Sequence, residues 1–414
     1  MGAEVLEAQN KVQWKTLGEV ADYEQPTKYI VKSANYSDKF PTPVLTAGKT
    51  FILGYTDEEI GIREASKSPI ILFDDFTSAN RWIDFDFKVK SSATKIITAK
   101  NENEVIAKYI YYIMQTMQNV GVYAAEHKRL WISNFSQLLI PIPPLAEQER
   151  IVRILDKFTE LTAELTAELT AELTARKKQY QYYREKLLSP EVLEGEVLEG
   201  EVLEGEAIEA PNNIQWKTLG EVGEFVRGKR FVKDDIISDG IPCIHYGEMY
   251  THYGVWATES KSFVSKELVN DKKLRLAKNG DVVFVAAGET IEDLGKATVW
   301  LGDKDVAIHD ACFFYKSSLN PKYIAYFTLT KQFHDQIRMH ISYGKIASIN
   351  AKGLEKTKIP IPPLAEQERI VRILDKFDTL VNSISEGLPR EIELRQKQYE
   401  YYRDKLLTFP LSAL

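Results

Sequence analysis

The segment IPIPPLAEQERIVRILDKF spans Ile140–Phe158 and recurs without a single change at Ile359–Phe377. A second repeat precedes each copy, because QWKTLGEV occurs at Gln13–Val20 and again at Gln215–Val222. The chain between these repeats shows no visible self-similarity. It therefore consists of two units, in each of which a repeated frame encloses a variable body. This pattern indicates that both frames meet one kind of partner while each body binds its own target.

Each copy of the segment is expected to lead into a long helix. Its IPIPP portion should be extended, because a proline disfavours the helical conformation of the residue before it, and the last proline fits the first turn of a helix. The pattern predicts helices of 44 residues at Leu145–Leu188 and Leu364–Leu407, which end in a third repeat, KQYQYYREKLL or KQYEYYRDKLL. Apolar residues three and four apart predict a coiled-coil seam in the first helix. Its residues are Ile151, Ile154, Phe158, Leu161 and Leu165.

The first helix contains the tetrapeptide LTAE three times in succession, at Leu161–Glu172. A leucine at every fourth residue advances by about 400°, so the apolar stripe drifts around the helix by about 40° per repeat. One interpretation is a solvated, alanine-rich helix. The matched lengths of the two helices favour the other, in which they pack side by side as rods. In the second helix, Gly387, Leu388 and Pro389 predict a kink or short break.

Composition indicates a folded chain of two to three domains, since 414 residues include 44% hydrophobic and 11% aromatic residues. No run approaches eighteen apolar residues and the first residues do not resemble a secretory signal, so we expect a cytoplasmic protein without a membrane span. Cys243 and Cys312 lie in apolar surroundings and are predicted to be buried free thiols.

The net charge is concentrated in one segment. Eight glutamates without any lysine or arginine lie between Ser189 and Ala210, and without them the formal charge of −7 becomes +1. The same segment contains EVLEG three times at Glu191–Gly205, which predicts an acidic linker. The rest of the chain is nearly neutral, so composition neither supports nor excludes a local basic surface.

The two bodies, about Ala21–Leu139 and Gly223–Lys358, mix strand-like and helix-like runs. SPIILFDDF, DVVFVAAG and KATVWLG predict strands, whereas NEVIAKYIYYIMQTM and PKYIAYFTLTKQFHDQI predict helices. Each body is therefore α/β or α+β and large enough for its own core.

Two variable bodies that alternate with two repeated helical regions resemble the DNA-specificity (S) subunit of type I restriction-modification systems. The resemblance covers essentially the whole chain. The EVLEG triplication is longer than the family leads us to expect at the boundary between the two units. Its motifs are W-x-x-L-G-E-V from Trp14 and Trp216, I-P-x-P-P-L-x-E-Q-x-R-I-V from Ile140 and Ile359, LDKF from Leu155 and Leu374, and the TAEL-type repeat.

The resemblance implies an α+β chain in which two α/β-type target-recognition domains are joined and separated by two long helices. These helices would pack as an antiparallel coiled coil within a pseudo-twofold internal repeat. Each domain would read one half of a split double-stranded DNA site with a fixed non-specific spacer, and two methyltransferase subunits would bind the repeated regions. Restriction or translocase subunits are further partners that the family allows. The chain itself would perform no chemistry, and S-adenosylmethionine would bind the methyltransferase subunit.

These expectations divide the chain into five parts. The first target-recognition domain with its lead-in covers residues 1–139, the first helical spacer 140–189, and the acidic linker 190–210. The second target-recognition domain covers 211–358, and the second helical spacer with the tail covers 359–414.

DNA reading needs hydrogen-bond donors that reach base edges and cations that hold phosphates. Residues of these types near glycines or aromatics, in segments expected to be exposed loops, are the candidates. In the first body they are Lys49, Asn80, Arg81, Lys88, Lys90, Lys128 and Arg129. In the second they are Arg227, Lys229, Arg230, His245, Tyr246, Tyr343, Lys345 and Ser348. For each one alone, an ordinary solvated or structural role is an equally good interpretation.

Enzymatic alternatives find weaker support. TAGKT at Thr46–Thr50 lacks the earlier glycine of a phosphate-binding loop, since residue 43 is proline. Asp74 or Asp75 with Asp86 and Lys88 resembles a metal-dependent nuclease site, but in one body only. Scattered histidines, including His245, His252 and His309, form no metal-binding pair and are expected to be structural or surface residues. Neither a cofactor nor a metal is therefore expected on this chain. A two-domain coiled-coil scaffold without any nucleic-acid role is the alternative from another class.

Overall fold

The computed structural model describes residues 12–47, 50–74, 77–117, 135–189, 202–203, 206–207, 214–288, 290–383 and 385–410. The chain forms two compact units. One comprises Met1–Leu169 with Glu391–Leu414, and the other comprises Thr170–Arg390. Each unit thus contains one variable body and segments of the repeated helices.

The first unit is a mixed α and β structure. Its strands are β1 Gln13–Thr16, β2 Ala21–Glu24, β3 Thr42–Leu45, β4 Ile52–Thr56, β5 Ile70–Asp74, β6 Asn80–Ile83, β7 Lys88–Val89, β8 Thr94–Ala99 and β9 Leu139–Ile142. Its helices are α1 Leu17–Val20, α2 Ala107–Thr116 and the first part of α3 Leu145–Leu187, with 3₁₀ turns at Pro26–Tyr29 and Phe135–Gln137. One sheet has the order β2-β8-β5-β6 and a second the order β4-β3-β7.

The second unit contains more strands. They are β10 Val202–Leu203, β11 Glu206–Ala207, β12 Gln215–Thr218, β13 Gly223–Arg227, β14 Ile236–Ile237, β15 Ile241–Ile244, β16 Trp256–Ala257, β17 Ser262–Val264, β18 Leu276–Ala277, β19 Val282–Val285, β20 Ala287–Gly288, β21 Ala297–Trp300, β22 Val306–Ile308, β23 Cys312–Ser317, β24 Ile341–Ser342, β25 Ala347–Ile349 and β26 Lys358–Ile361. Two five-stranded sheets have the orders β13-β23-β19-β21-β16 and β14-β17-β15-β22-β18, and β20-β25-β24 form a third.

Helices complete this unit. They are α4 Leu219–Val222, α5 Tyr246–Thr251, α6 Lys266–Asp271, α7 Pro321–Phe327, α8 Lys331–Arg338, α9 Ala351–Glu355, α10 Leu364–Asn382 and α11 Leu388–Leu407, the last of which continues into the first unit. Lys233–Asp235 and Ile291–Asp293 form 3₁₀ turns. Cys243 and Cys312 are buried free thiols, as predicted, and burial raises the pKa of Cys243 to about 12.

The two ends of each frame pair with each other. In the first unit β1 pairs with β9 in antiparallel register, with Trp14 opposite Pro141. In the second unit β12 pairs with β26 in the same way, with Trp216 opposite Pro360. The IPI portion is extended, as its prolines predict, and this two-stranded ladder closes the base of each body.

A helix of each body binds the following frame helix by the same contacts. Lys108 Nζ lies 2.9 Å from the Asp156 carboxylate, and the Tyr112 hydroxyl donates to the same carboxylate at 2.6 Å. In the second unit, Lys322 Nζ and the Tyr326 hydroxyl each lie 2.7 Å from Asp375.

Other contacts of these helices also repeat. The buried Tyr109 hydroxyl donates to the Pro141 carbonyl at 2.9 Å, and Tyr323 donates to Pro360 at 3.0 Å. The lysines lie over tryptophan rings, Lys108 over Trp82 and Lys322 over Trp256. We call this repeated attachment, formed by the K-Y-I-x-Y residues of the body helix and the frame aspartate, the body anchor.

We expect Asp375→Asn to lower the free energy of unfolding by about 1–2 kcal/mol, because Lys322 and Tyr326 lose a charged acceptor that is partly shielded from water. Asp303→Asn removes the same charge from an exposed position of the same unit, so we expect a change within about 0.5 kcal/mol. Thermal and denaturant unfolding of both variants measure the difference. Equal stability of the two would show that the anchor does not stabilise the unit.

The first long helix is confirmed, because α3 runs without interruption from Leu145 to Leu187 over 43 residues. The second is divided, since α10 ends at Asn382 and α11 begins at Leu388. The sequence predicts this break. Gly387 permits the chain to pass close to the end of α10, because a Cβ at residue 387 would lie 2.4 Å from the Thr379 carbonyl oxygen.

Segments of these helices pack side by side within each unit. In the first unit the Phe158 and Tyr402 rings stack at 5.8 Å, and the Thr159 and Tyr399 hydroxyls lie 3.1 Å apart. In the second unit the Phe377 ring lies 6.3 Å from Tyr180 and 5.6 Å from Tyr183. The rod interpretation agrees with these contacts better than the fully solvated helix does.

The burial of the predicted coiled-coil seam agrees with the prediction only in part, and only a small part of the predicted linker is described. Ile151 is fully buried, but Ile154 and Phe158 are half-buried and Leu161 is exposed, while Leu155, outside the predicted seam, is fully buried. Within the acidic segment, β10 and β11 form a short antiparallel hairpin. The rest of the predicted linker at 190–210 lies outside the described residues.

Candidate nucleic-acid interface

Two of the predicted cations of the first body flank the same connection between β3 and β4. The Arg81 guanidinium lies 4.4 Å from the centre of the Phe51 ring, at the start of β4. Lys90 donates its backbone N–H to the Leu45 carbonyl at 2.8 Å, at the end of β3, and its ammonium lies 3.3 Å from the Tyr36 hydroxyl. Both side chains are exposed, so they form a candidate cationic surface. Lys49, Lys128 and Arg129 lie outside the described residues.

Two other candidates of this body are buried, so the expectation that they lie in exposed loops is wrong. Lys88 is 1% exposed, and its ammonium contacts the Glu58 carboxylate at 3.1 Å and the Ile60 carbonyl at 2.6 Å. Asn80 is 4% exposed and bonds to Gln115 and to the Met114 carbonyl. These hydrogen bonds occupy the polar groups that DNA would need, and we leave both residues out of the interface.

Three segments of the second body converge to form a more compact surface. The Gly228 N–H donates to the Cys312 carbonyl at 3.0 Å, and the Lys229 N–H donates to Ile308 at 2.9 Å. These bonds hold the loop after β13 against the turn between β22 and β23. The His309 N–H donates to the Ile244 carbonyl at 3.2 Å, which brings the end of β15 to the same turn.

Glycine is required where the first two segments meet. A Cβ at Gly228 would lie 2.2 Å from the His309 carbonyl oxygen and 2.3 Å from that of Ile308. The close approach places Arg227, Lys229 and Arg230 beside the turn. Arg227 and Arg230 are exposed, and Arg227 Nε donates to the Asp310 carbonyl at 2.9 Å.

Two residues outside the predicted DNA contacts, Arg275 and His309, also lie where these segments meet. Arg275 is exposed and donates to the Arg227 carbonyl at 2.7 Å, so it adds a cation to the loop. The ring of His309 lies 4.5 Å from that of His245 and 5.5 Å from that of Tyr246. The sequence HDAC contains no local indication of this position. Only the pairing of β22 with β15 brings His309 to the surface formed by His245 and Tyr246.

Burial lowers the pKa of both histidines, because the charged imidazolium loses water contacts. The neighbouring His245 lowers the pKa of His309 further, and Arg230 acts in the same direction. Lys233 also lowers the pKa of His245. Glu248 and Asp310 oppose these effects for His245, as Asp310 does for His309, but burial is the largest influence on both. Burial therefore favours the neutral form of both rings.

The remaining candidates lie on a neighbouring small sheet. Tyr343 and Lys345 are exposed in the turn between β24 and β25, and Ser348 is half-buried in β25. Ser348 lies opposite Ala287 of β20. The Ala287 carbonyl accepts a hydrogen bond of 2.8 Å from Tyr250 of α5, the helix that begins at Tyr246. A chain of contacts thus joins this sheet to the surface formed by His245 and Tyr246.

The residues of the nuclease alternative have separate local partners. Asp74 is buried and accepts from the Thr77 hydroxyl at 2.6 Å, whereas Asp86 accepts from the Ser66 hydroxyl at 2.6 Å. Lys88 binds Glu58, as described above, and Asp75 lies outside the described residues. Within the described part of the chain, no group of three or more His, Cys, Asp or Glu side chains could hold a metal ion. No helix there is long and apolar enough to cross a membrane.

A solved structure of a type I R-M system, described as the structural basis of complex assembly and conformational transition, contains a chain of similar fold. Its TM-score is 0.62 at 18% identity, over 96% of this chain and 97% of the other. The EcoR124I/EcoR124II type I restriction enzyme specificity subunit of Escherichia coli is 46% identical over 97% of this chain and 95% of its own length.

The match to a family model gives the same result as the similarity to the Escherichia coli subunit. The type I restriction modification DNA specificity domain matches at residues 10–175 and again at 211–394, so the match includes both bodies and most of both frames. The chain belongs to the family of type I restriction-modification specificity subunits.

Proposed function

We propose that the chain is the non-catalytic DNA-recognition subunit of a multisubunit adenine methyltransferase and restriction enzyme. Each body reads one half of a bipartite double-stranded DNA sequence. The long helices form an antiparallel coiled coil that fixes the non-specific spacer, and the two frames bind two methyltransferase subunits. S-adenosylmethionine binds those subunits, and restriction subunits are further partners of the complete enzyme.

One observation carries this proposal: the two bodies are attached to identical segments of the two frames by the same anchor, yet they present different cations and aromatics. Asp156 and Asp375 make equivalent contacts, as do Tyr109 and Tyr323. Identical attachment suits two copies of one partner, because equal surfaces bind equal subunits. Different exposed donors suit two different DNA sequences, because base edges are distinguished by their donor and acceptor patterns.

The test compares DNA binding and methyl transfer by the chain alone, by the methyltransferase subunits alone and by the mixture. We expect the chain alone to bind DNA weakly, with an affinity that falls steeply as salt rises. The mixture should bind specifically, typically about 10³-fold or more above non-specific DNA, and methylate adenine in both half-sites. Methyl transfer by the isolated chain would contradict a non-catalytic role. A mixture without sequence preference would contradict the recognition role.

A further inference from the structure

His245 and His309 are neighbouring histidines of the second body. Backbone hydrogen bonds determine which ring nitrogen carries the proton in each of them. The Gly247 N–H donates to His245 Nδ1 at 3.3 Å, and the Ala311 N–H donates to His309 Nδ1 at 3.1 Å. A nitrogen that accepts a hydrogen bond carries no proton, so the neutral ring holds its proton on Nε2. The Nε2–H of His245 is therefore available as a donor, whereas a hydrogen bond with the Phe231 backbone engages the His309 ring.

The two rings differ in exposure. His309 is 9% exposed, and the Phe231 ring packs against it edge to face at 5.1 Å, whereas His245 is half-buried at the start of α5. The tilted contact between the imidazoles fixes the His245 ring from one side. His245 is thus the ring that can reach a ligand, and His309 is the residue that positions it.

The surroundings supply several donors and a partly exposed acceptor. Arg227, Lys229 and Arg230 are cations in the adjoining loop. The Asp310 carboxylate lies 3.3 Å from His309 Nδ1, and about a third of its side chain is exposed. Since His309 Nδ1 already accepts from Ala311, Asp310 forms no charged pair with the neutral ring and its oxygens can accept from another donor.

We propose that this cluster reads one G·C base pair in the major groove, with His245 as a donor to guanine N7, His309 as its positioning residue and Asp310 as the acceptor that specifies cytosine. This inference rests on the proposed function. Guanine presents two acceptors, N7 and O6, and its paired cytosine presents the N4 amino donor. His245 Nε2–H donates to guanine, and the Asp310 carboxylate accepts from cytosine. An A·T pair fits less well, because thymine places its O4 acceptor opposite the Asp310 carboxylate, where cytosine places the N4 donor.

The experiment uses the complete complex with two methyltransferase subunits on a duplex that carries its recognised sequence. Each guanine in the half-site of the second body is replaced in turn by 7-deazaguanine, which lacks the N7 acceptor. We expect one position to weaken specific binding by about 10-fold for the parent protein. With His245→Ala the same replacement should change binding less than about 2-fold, because the donor is already absent.

His309→Asn tests the positioning role. We expect this variant to lose most of the sensitivity to 7-deazaguanine while the salt dependence of binding stays unchanged, since the phosphate contacts remain. His252→Ala is the matched control, because His252 is an exposed histidine at the other end of the same helix. It should keep the full sensitivity.

The outcomes separate this inference from the proposed function. The parent complex could bind specifically and yet show no position where His245→Ala removes the effect of 7-deazaguanine. That result would overturn only the reading of guanine by His245, and the proposed function would stand. A parent complex without sequence preference would overturn the recognition role itself. A parent complex that is insensitive to 7-deazaguanine at every position would also overturn this inference, and that measurement needs no variant.

Discussion

Exchanging Gly223–Lys358 for the corresponding body of another specificity subunit should change one half of the recognised DNA sequence and leave the other half intact. The body anchor gives the physical reason, since Lys322, Tyr323 and Tyr326 attach the body through a few defined contacts to the frame. A wrong base pair costs about 1–3 kcal/mol, so a half-site of several pairs carries a preference of roughly 100-fold or more. Mapping methylated adenines in the parent and the chimera measures the change.

The chain itself offers a matched control for this exchange. A copy of Ala21–Leu139 in place of Gly223–Lys358 keeps an anchor helix of the same K-Y-I-x-Y pattern and the same closing ladder. We expect the recognised sequence to contain the half-site of the first body twice. If both halves of the sequence changed together in either chimera, or if neither changed, the assignment of one reader to each body would be wrong.

The repeated frame could be predicted from sequence because its structure depends on local rules. Prolines make IPIPP extended and allow a helix to begin after Pro144, and a periodic apolar pattern continues that helix for many turns. The break before Leu388 was also predictable, since glycine and proline interrupt helices whatever surrounds them. These features need no knowledge of distant parts of the chain.

The anchor was missed although its sequence signal is present. KYIYY at Lys108–Tyr112 and KYIAY at Lys322–Tyr326 are alike, but five residues inside divergent bodies do not stand out without the contact that preserves them. Their partners, Asp156 and Asp375, lie 48 and 53 residues away along the chain. Only the tertiary structure shows that both helices carry the same polar side chains to the same frame position.

The exposure of the candidate DNA contacts was predicted less well, since exposure is decided by tertiary packing. Lys88 stands in a charge-rich segment that looks solvated, yet its strand turns the ammonium inward to Glu58, 30 residues earlier in the chain. His309 is largely buried, in agreement with the expected structural role, but nothing in the sequence indicates that it lies beside the predicted contacts His245 and Tyr246. Residue type indicates which side chains can read DNA, and the fold decides which of them converge.

The LTAE repeat lies in α3 where the helix continues from one unit into the other. The units divide this helix between Leu169 and Thr170. In the repeat, Leu165, Leu169 and Leu173 are half-buried. Loss of one tetrapeptide moves each of these leucines into the place of the previous one, so the places of Leu161, Leu165 and Leu169 keep leucine, and only the place of Leu173 changes, to Lys177. We therefore expect deletion of Leu161–Glu164 to leave a folded protein.

That deletion should shorten the non-specific gap in the recognised DNA by one base pair and leave both half-site sequences unchanged. It removes about 6 Å of helix and turns the remainder by about 40°. A base pair rises about 3.4 Å and turns about 34–36°, so the length corresponds to nearly two pairs but the rotation to one. We expect rotation to decide, because a reader turned away from its groove loses every base-edge contact, whereas bending distributes a few ångströms of slack. Thr162→Ala, which keeps the helix length, should leave the gap unchanged. Genome-wide mapping of methylated adenines measures the gap in each variant, and an unaltered gap with full activity after the deletion would show that the repeat is not part of the spacer.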